Sequence, residues 1–200
     1  MVSGKRWGVS AALLAAVLAG CAQVPAMSAL KLAGFDPMKA DPATIRAAVA
    51  LPSDAFPPTG GARLVLAQAR RDGRDAQRLE VVLEEVPLVS ETGLAAVRAK
   101  PGQVIRAFRI PAADRARLIE TRAGMLARAA AEPGAFAGTL QVEVAGCLKP
   151  GAEAPKRFPV STWLKTAETG DYVTLLEDVD LISVLGDTEF RQKTGVCPAG

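Results

Sequence analysis

Nine consecutive apolar residues, Ala11 to Ala19, lie between the cations Lys5 and Arg6 and the pair Gly20-Cys21. A helix needs ~20 apolar residues to span a bilayer, so this run is too short for a permanent span. The rest of the chain must fold without it. About 180 residues follow, a length at which one domain buries a substantial core.

The cations, the short apolar run and Leu18-Ala19-Gly20-Cys21, in that order, resemble the signal peptide and lipobox of bacterial lipoproteins. The resemblance implies that residues 1–20 are removed and that the Cys21 thiol is diacylated. A third chain can follow on the freed amine. One acyl chain holds a protein only marginally, at ~0.8 kcal/mol per buried methylene, so two or three make the anchor stable. Ala22-Gln23 follows the cysteine where inner-membrane lipoproteins carry Asp. That favours the outer membrane, facing the periplasm. An ordinary secretory signal is the alternative.

The expected layout is a signal at 1–20, a lipidated tether at 21–40 and one globular periplasmic domain at 41–200. Fully extended, residues 22–40 reach ~60 Å at about 3.3 Å per residue. Leu30, Leu32 and Phe35 give the tether's second half an apolar character that favours docking on the domain.

With Cys21 assigned to lipid, Cys147 and Cys197 remain. An even pair in an oxidising compartment reads as a disulfide, placed to pin the C-terminal tail to a strand end. Metal or redox use is the rival, without a Cys-x-x-Cys spacing to support it. The chain contains neither histidine nor asparagine. Ser-His-Asp and Cys-His-Asn catalysis, histidine zinc sites and histidine pH switches are thereby excluded. Of the formal charge of +3, two units sit on Lys5 and Arg6, which leaves +1 beyond residue 20. With Trp163 and Tyr172 the only Trp and Tyr there, neither a general polyanion surface nor a base-stacking platform is expected, and no nucleic-acid partner.

Asp41-Pro42 has the form of a helix start, with Ile45, Ala48 and Val49 on one face and Pro52 as the stop. Arg63 to Ala69 and Arg78 to Val86 flank the turn Arg71–Asp75 and predict a β-hairpin, with Leu79, Val81 and Leu83 inward. Ser90 to Lys100 is ambiguous. Gln103 to Ile110 predicts a strand. Pro111 opens a long helix over roughly 112–131 and Pro133-Gly134 stops it. Ile119, Ala123, Leu126 and Ala130 form its apolar stripe, supported by Leu118 and Met125. Thr139 to Cys147 alternates, with Leu140, Val142 and Val144 inward. Phe158 to Lys165 and Asp171 to Glu177 predict a second hairpin, in which Lys165 pairs with Asp171. Leu181 to Leu185 reads as a last short strand. The sum is an α+β fold: an antiparallel sheet of six to seven short strands with one long helix packed on it. A β-sandwich with a helical insertion is the alternative.

Four groups are site candidates. Arg70, Arg71 and Arg74, with Arg63 and Arg78, surround the first hairpin turn and offer planar donors to phosphates, carboxylates or lipid head groups. Asp72 and Asp75 are interleaved, and a solvated charged turn is the plainer reading. Glu177, Asp178, Asp180, Asp187 and Glu189 could supply oxygens to Ca²⁺, without a glycine-centred loop around them. An acidic sheet edge is the plainer reading. Trp163, with Val173 opposite, lines a ligand pocket or the core. Ser28-x-x-Lys31 and Lys193-Thr194-Gly195 match two motifs of penicillin-binding enzymes, but the first lies in the tether and Ser-Asp-Asn is absent.

These observations predict a membrane-anchored envelope lipoprotein with a non-enzymatic binding or interaction domain. No cofactor or metal is expected. The expected partners are membrane lipid through acylated Cys21 and an envelope protein or lipid. A carrier or assembly role through an apolar cleft between helix and sheet, lined by Leu, Val, Phe108 or Trp163, is the second reading. A hydrolase using carboxylates such as Glu84 or Glu177, or a Ser/Lys pair, is the third.

Overall fold

The computed structural model describes residues 35–57, 60–94 and 97–197. The signal, Cys21 and the Ser28/Lys31 pair lie outside the described residues. Among the described residues the strands are β1 (Arg46–Pro52), β2 (Ala55–Phe56), β3 (Ala62–Arg70), β4 (Gln77–Val82), β5 (Glu84–Val86) and β6 (Gln103–Arg109). Helix α1 (Ala112–Ala131) follows, then β7 (Phe136–Val144), β8 (Cys147–Leu148), β9 (Pro159–Lys165) and β10 (Val173–Asp180). The chain ends through α2 (Leu181–Leu185), α3 (Asp187–Lys193) and β11 (Gly195–Val196).

The fold is α+β, as expected, but its strands form three sheets rather than one. A five-stranded sheet has the order β10-β9-β1-β6-β5, and a three-stranded sheet the order β4-β3-β7. A small third sheet, β11-β8-β2, contains one parallel pair, β11 with β8. The hairpin predicted around residues 71–75 forms, with Arg63 opposite Val82 and Gln68 opposite Gln77. Its return strand then leaves: the Leu83 N–H still bonds the Ala62 carbonyl, and β5 pairs with β6 in the other sheet, Glu84 opposite Arg109. Size explains the division. A helix ~10 Å across covers only two or three strands spaced ~4.8 Å apart. The remaining apolar strand faces must bury against each other. The main core does so, joining Val49 and Leu164 of the larger sheet to Leu64, Leu66 and Val81 of the smaller.

β1 corrects the helix expected after Asp41-Pro42. Asp41 does cap a turn, its Oδ1 accepting the Ala43 N–H at 2.9 Å, but the chain then extends. Ala47 to Leu51 is buried on both faces. Ala47, Val49 and Leu51 join the main core, while Ala48 and Ala50 face Trp163, Tyr172 and Val97 in a second one. A short run that is apolar on both sides reads equally as buried helix or central strand, and period alone does not decide. The docking expected of the tether's second half is seen at its described end. Phe35 and Met38 pack on the core, and Ala40 is buried.

Helix α1 has the expected ends but a different buried face. Leu118, Arg122 and Met125 are buried, whereas Ile119 and Leu126 are 55% and 41% exposed. The expected stripe has the right spacing, displaced by one residue, or ~100° around the helix. Two polar contacts anchor this face, one to the smaller sheet and one to the segment before β1. Buried Gln68 donates to the Met125 carbonyl at 2.9 Å, and Arg122 donates to the Ala40 carbonyl.

The β9–β10 hairpin forms one residue out of the expected register. Trp163 lies opposite Thr174, and Val173 opposite Leu164. Lys165 does not pair with Asp171. Its ammonium donates to the carbonyl and hydroxyl of Thr92 at 2.8 and 2.9 Å. Leu181 to Leu185 is helix α2, not a strand, because the Asp180 carboxylate accepts the Ile182 N–H and the Ser183 hydroxyl. Gly186, at φ 79°, then separates α2 from α3, a conformation that glycine adopts without Cβ strain. Cys147 and Cys197 are joined, which places β11 beside β8 and pins the tail to the end of a strand.

Candidate functional site

The arginines predicted around the first turn are taken up by carboxylates and carbonyls of the chain itself. Arg70 Nη1 donates to both Glu132 carboxylate oxygens, at 2.9 and 2.7 Å. Arg71 Nε donates to the Gly134 carbonyl. Arg74 holds Asp72 through two bonds, at 3.0 and 2.6 Å, which lowers the Asp72 pKa. Arg63, Glu80, Arg78 and Glu143 form a chain of ion pairs across the outer face of the smaller sheet. Each guanidinium is thus engaged within the chain, Glu80 serving both Arg63 and Arg78 and Asp72 both Arg74 and Arg70, and no shared anion cradle is built.

The acids behave likewise. Asp178 pairs with Lys100 at 2.8 Å, Asp187 with Arg191 and Glu189 with Lys193. Asp180 accepts the Phe158 N–H at 2.8 Å. Among the described residues no three acids or cysteines come together to hold a cation. Glu84 is exposed and paired with Arg109 at 2.7 Å, an interaction that depresses its pKa. Glu177 is exposed on β10.

Trp163 is 5% exposed and belongs to the second core. Beside that core lies a polar recess of about 420 Å³ lined by Arg46, Glu91 and Lys165. Glu91 accepts from Arg46 Nε at 3.2 Å and from the Tyr172 hydroxyl at 3.1 Å. These bonds bolt the 88–94 segment onto the larger sheet.

An apolar cleft of about 500 Å³ is present, but between the two larger sheets and not between the long helix and a sheet as expected. That volume lies within the ~300–1,000 Å³ usual for ligand sites. Val49 and Leu51 of β1, Val160 of β9 and Leu176 of β10 form one wall. Val142 and Val144 of β7 form the other, and Leu181 and Leu185 of α2 close one side. Phe158 also lines it and is fixed by Phe190, with ring centroids 5.0 Å apart. Glu143, Lys193 and Thr194 stand at its border. Phe108 and Trp163, the aromatic residues expected there, do not line it.

Its origin is topological. The smaller sheet ends at β7. The larger sheet opposite continues through β1 and β9 to β10. β7 contributes to the lining and β3 does not. The alternation of Leu140, Val142 and Val144 announces an inward face but not that β7 has no neighbour beyond it in its own sheet. No helix among the described residues is long and apolar enough to cross a membrane. No family model, curated protein or solved structure matches the chain.

Proposed function

We propose that this chain is a lipid-anchored protein of a bacterial envelope whose folded domain binds an apolar ligand and performs no covalent chemistry. The cleft between β7 and β10 carries this reading. Its walls are Val, Leu and Phe, and its bordering carboxylate, Glu143, is engaged by Arg78. The lipobox-like Leu18-Ala19-Gly20-Cys21 supports the anchor and the periplasmic setting.

Two measurements test the two halves. Cys21→Ala should remove the acyl mass from the protein; a mass that differs from the parent only by the Cys-to-Ala exchange refutes the anchor. An alkyl diazirine, photolysed with the mature protein in phosphatidylcholine nanodiscs, should label β7, β10 and α2 above the rest of the chain. Leu176→Lys should reduce that labelling. Uniform labelling refutes the cleft as a binding site.

A further inference from the structure

The sheet edges of this molecule are unequally protected. The outer edge of β4 is covered by α1: Arg117 donates to the Glu80 carbonyl at 3.1 Å, and Arg128 to the Asp75 carbonyl at 2.9 Å. β5 has only three residues, two of them exposed glutamates. β10 is interrupted by two register shifts, and Asp178 there has φ 53°. Short length, charge and bulges are the usual devices against unwanted strand pairing.

β7 is neither short nor bulged, and its one charged residue, Glu143, is held by Arg78 on the far strand of its own sheet. Its nine residues pair with β3 in unbroken register, without proline or lysine. The direction of its ladder follows from the bonds just beyond its ends. Ala145 N–H bonds the Gly61 carbonyl, and Arg71 N–H bonds the Ala135 carbonyl. Odd-numbered residues of β7 therefore bond β3. Phe136, Gly138, Leu140, Val142 and Val144 turn their N–H and C=O groups outward. Among the described residues these outward groups have no hydrogen-bond partner.

The free edge and the apolar cleft occupy the same place, the position of a fourth strand in the smaller sheet. We infer that the cleft takes an extended segment of a partner polypeptide, which adds to β7 as that strand. This rests on the cleft being a binding site. Main-chain bonds to β7 hold the segment, and alternate apolar side chains enter the cleft against Val49, Val160 and Leu176. Its other side chains continue the polar row Thr139, Gln141 and Glu143.

Two other occupants fit less well. An acyl chain fills the apolar space but offers nothing to the β7 backbone. A second copy of β7 could pair edge to edge, but its Leu140, Val142 and Val144 already pack on their own core. The partner is thus a segment of alternating apolar and polar residues, free to place one face in the cleft.

The test uses the mature protein in phosphatidylcholine nanodiscs and the peptide acetyl-Lys-Thr-Val-Thr-Val-Thr-Val-Lys-amide. Peptide should slow amide exchange at Gly138, Leu140, Val142 and Val144 by about tenfold or more, while amides facing β3 stay unchanged. An analogue N-methylated at alternate residues keeps the valines but loses the edge bonds, and should bind at least about tenfold more weakly, a factor equal to 1.4 kcal/mol. Gly138→Pro and Val142→Pro each remove one outward donor from an edge strand, where proline is tolerated. Both should weaken the peptide, with folding checked by circular dichroism. Equal binding of the methylated analogue overturns strand addition. No peptide binding, with alkyl diazirine still labelling the cleft, also overturns it and leaves the cleft reading intact. Failure of both probes removes the two together.

Discussion

Tyr172 donates its hydroxyl proton to Glu91 at 3.1 Å, inside a contact that also holds Arg46. Burial, and then the Glu91 charge, raise the Tyr172 pKa well above the ordinary phenol value. Tyr172 is the only tyrosine in the chain, so phenolate absorbance reports on it alone. An unfolded tyrosine ionises near pH ~10. Above that pH the unfolded chain loses a proton that the folded chain keeps, and stability falls as pH rises. The phenolate band should appear together with unfolding, not before it. Tyr172→Phe should remove this part of the alkaline slope. A phenolate titrating near pH ~10 in the folded protein would contradict the buried contact.

Asp180 gives the opposite sign. Hydrogen bonds from the Phe158 N–H, and then from Ser183 and Ile182, lower its pKa. Its stabilisation is present above the ordinary carboxylate pKa and is lost as pH falls through the depressed one. Asp180→Asn should flatten the acid limb of the stability curve and fray α2, read by amide exchange at Ile182 and Ser183. An unchanged acid limb would exclude the carboxylate as the cap.

The buried face of α1 separates two adjacent leucine-like positions. Leu118→Ala should cost about 2–5 kcal/mol, as deletion of a buried side chain does. Ile119→Ala, at a position 55% exposed, should cost about 0.5 kcal/mol. Denaturant midpoints of the two variants decide it. Equal losses would restore the stripe expected from spacing.

Opening the Cys147–Cys197 bond releases a loop closed over a sequence separation of 50. The chain-entropy model gives a loss of about 4 kcal/mol. Melting with and without reductant, alongside the double serine variant, measures it. The Val196 and Cys197 amides should lose protection first, since the Cys197 N–H bonds the Leu148 carbonyl. A melting temperature indifferent to reductant would show that the tail is held by other means.

Local signals were legible where the local chemistry was unambiguous. Pro111 and Pro133-Gly134 bracket α1 at the ends observed. The period-two alternation of 139–144 and 79–83 gives the inward faces correctly. What escaped depends on distant partners. The face that α1 buries is anchored by Gln68 and Ala40, which spacing within the helix does not encode. β1 resembles a helix start until β6 and β9 supply both of its ladders. The cleft is a relation between where β7 stops and how far β10 extends, which neither strand's sequence contains. The arginines were visible as a cluster, but their cross-strand and helix partners, Glu132 and Glu143, were not.

The central place of β1 also orders events in time. It is the first of the described strands to be made, and it needs Gln103–Arg109 on one side and Pro159–Lys165 on the other. Apolar on both faces, it must wait unpaired until residue 109 has emerged and half-paired until residue 165 has. Closing such distant pairs is slow, and a waiting apolar strand is open to aggregation. A chain arriving N-terminus first across a membrane would carry that exposed segment through most of its passage. The prediction for the cell is dependence on an escort that shields residues 47–51 until the C-terminal hairpin arrives.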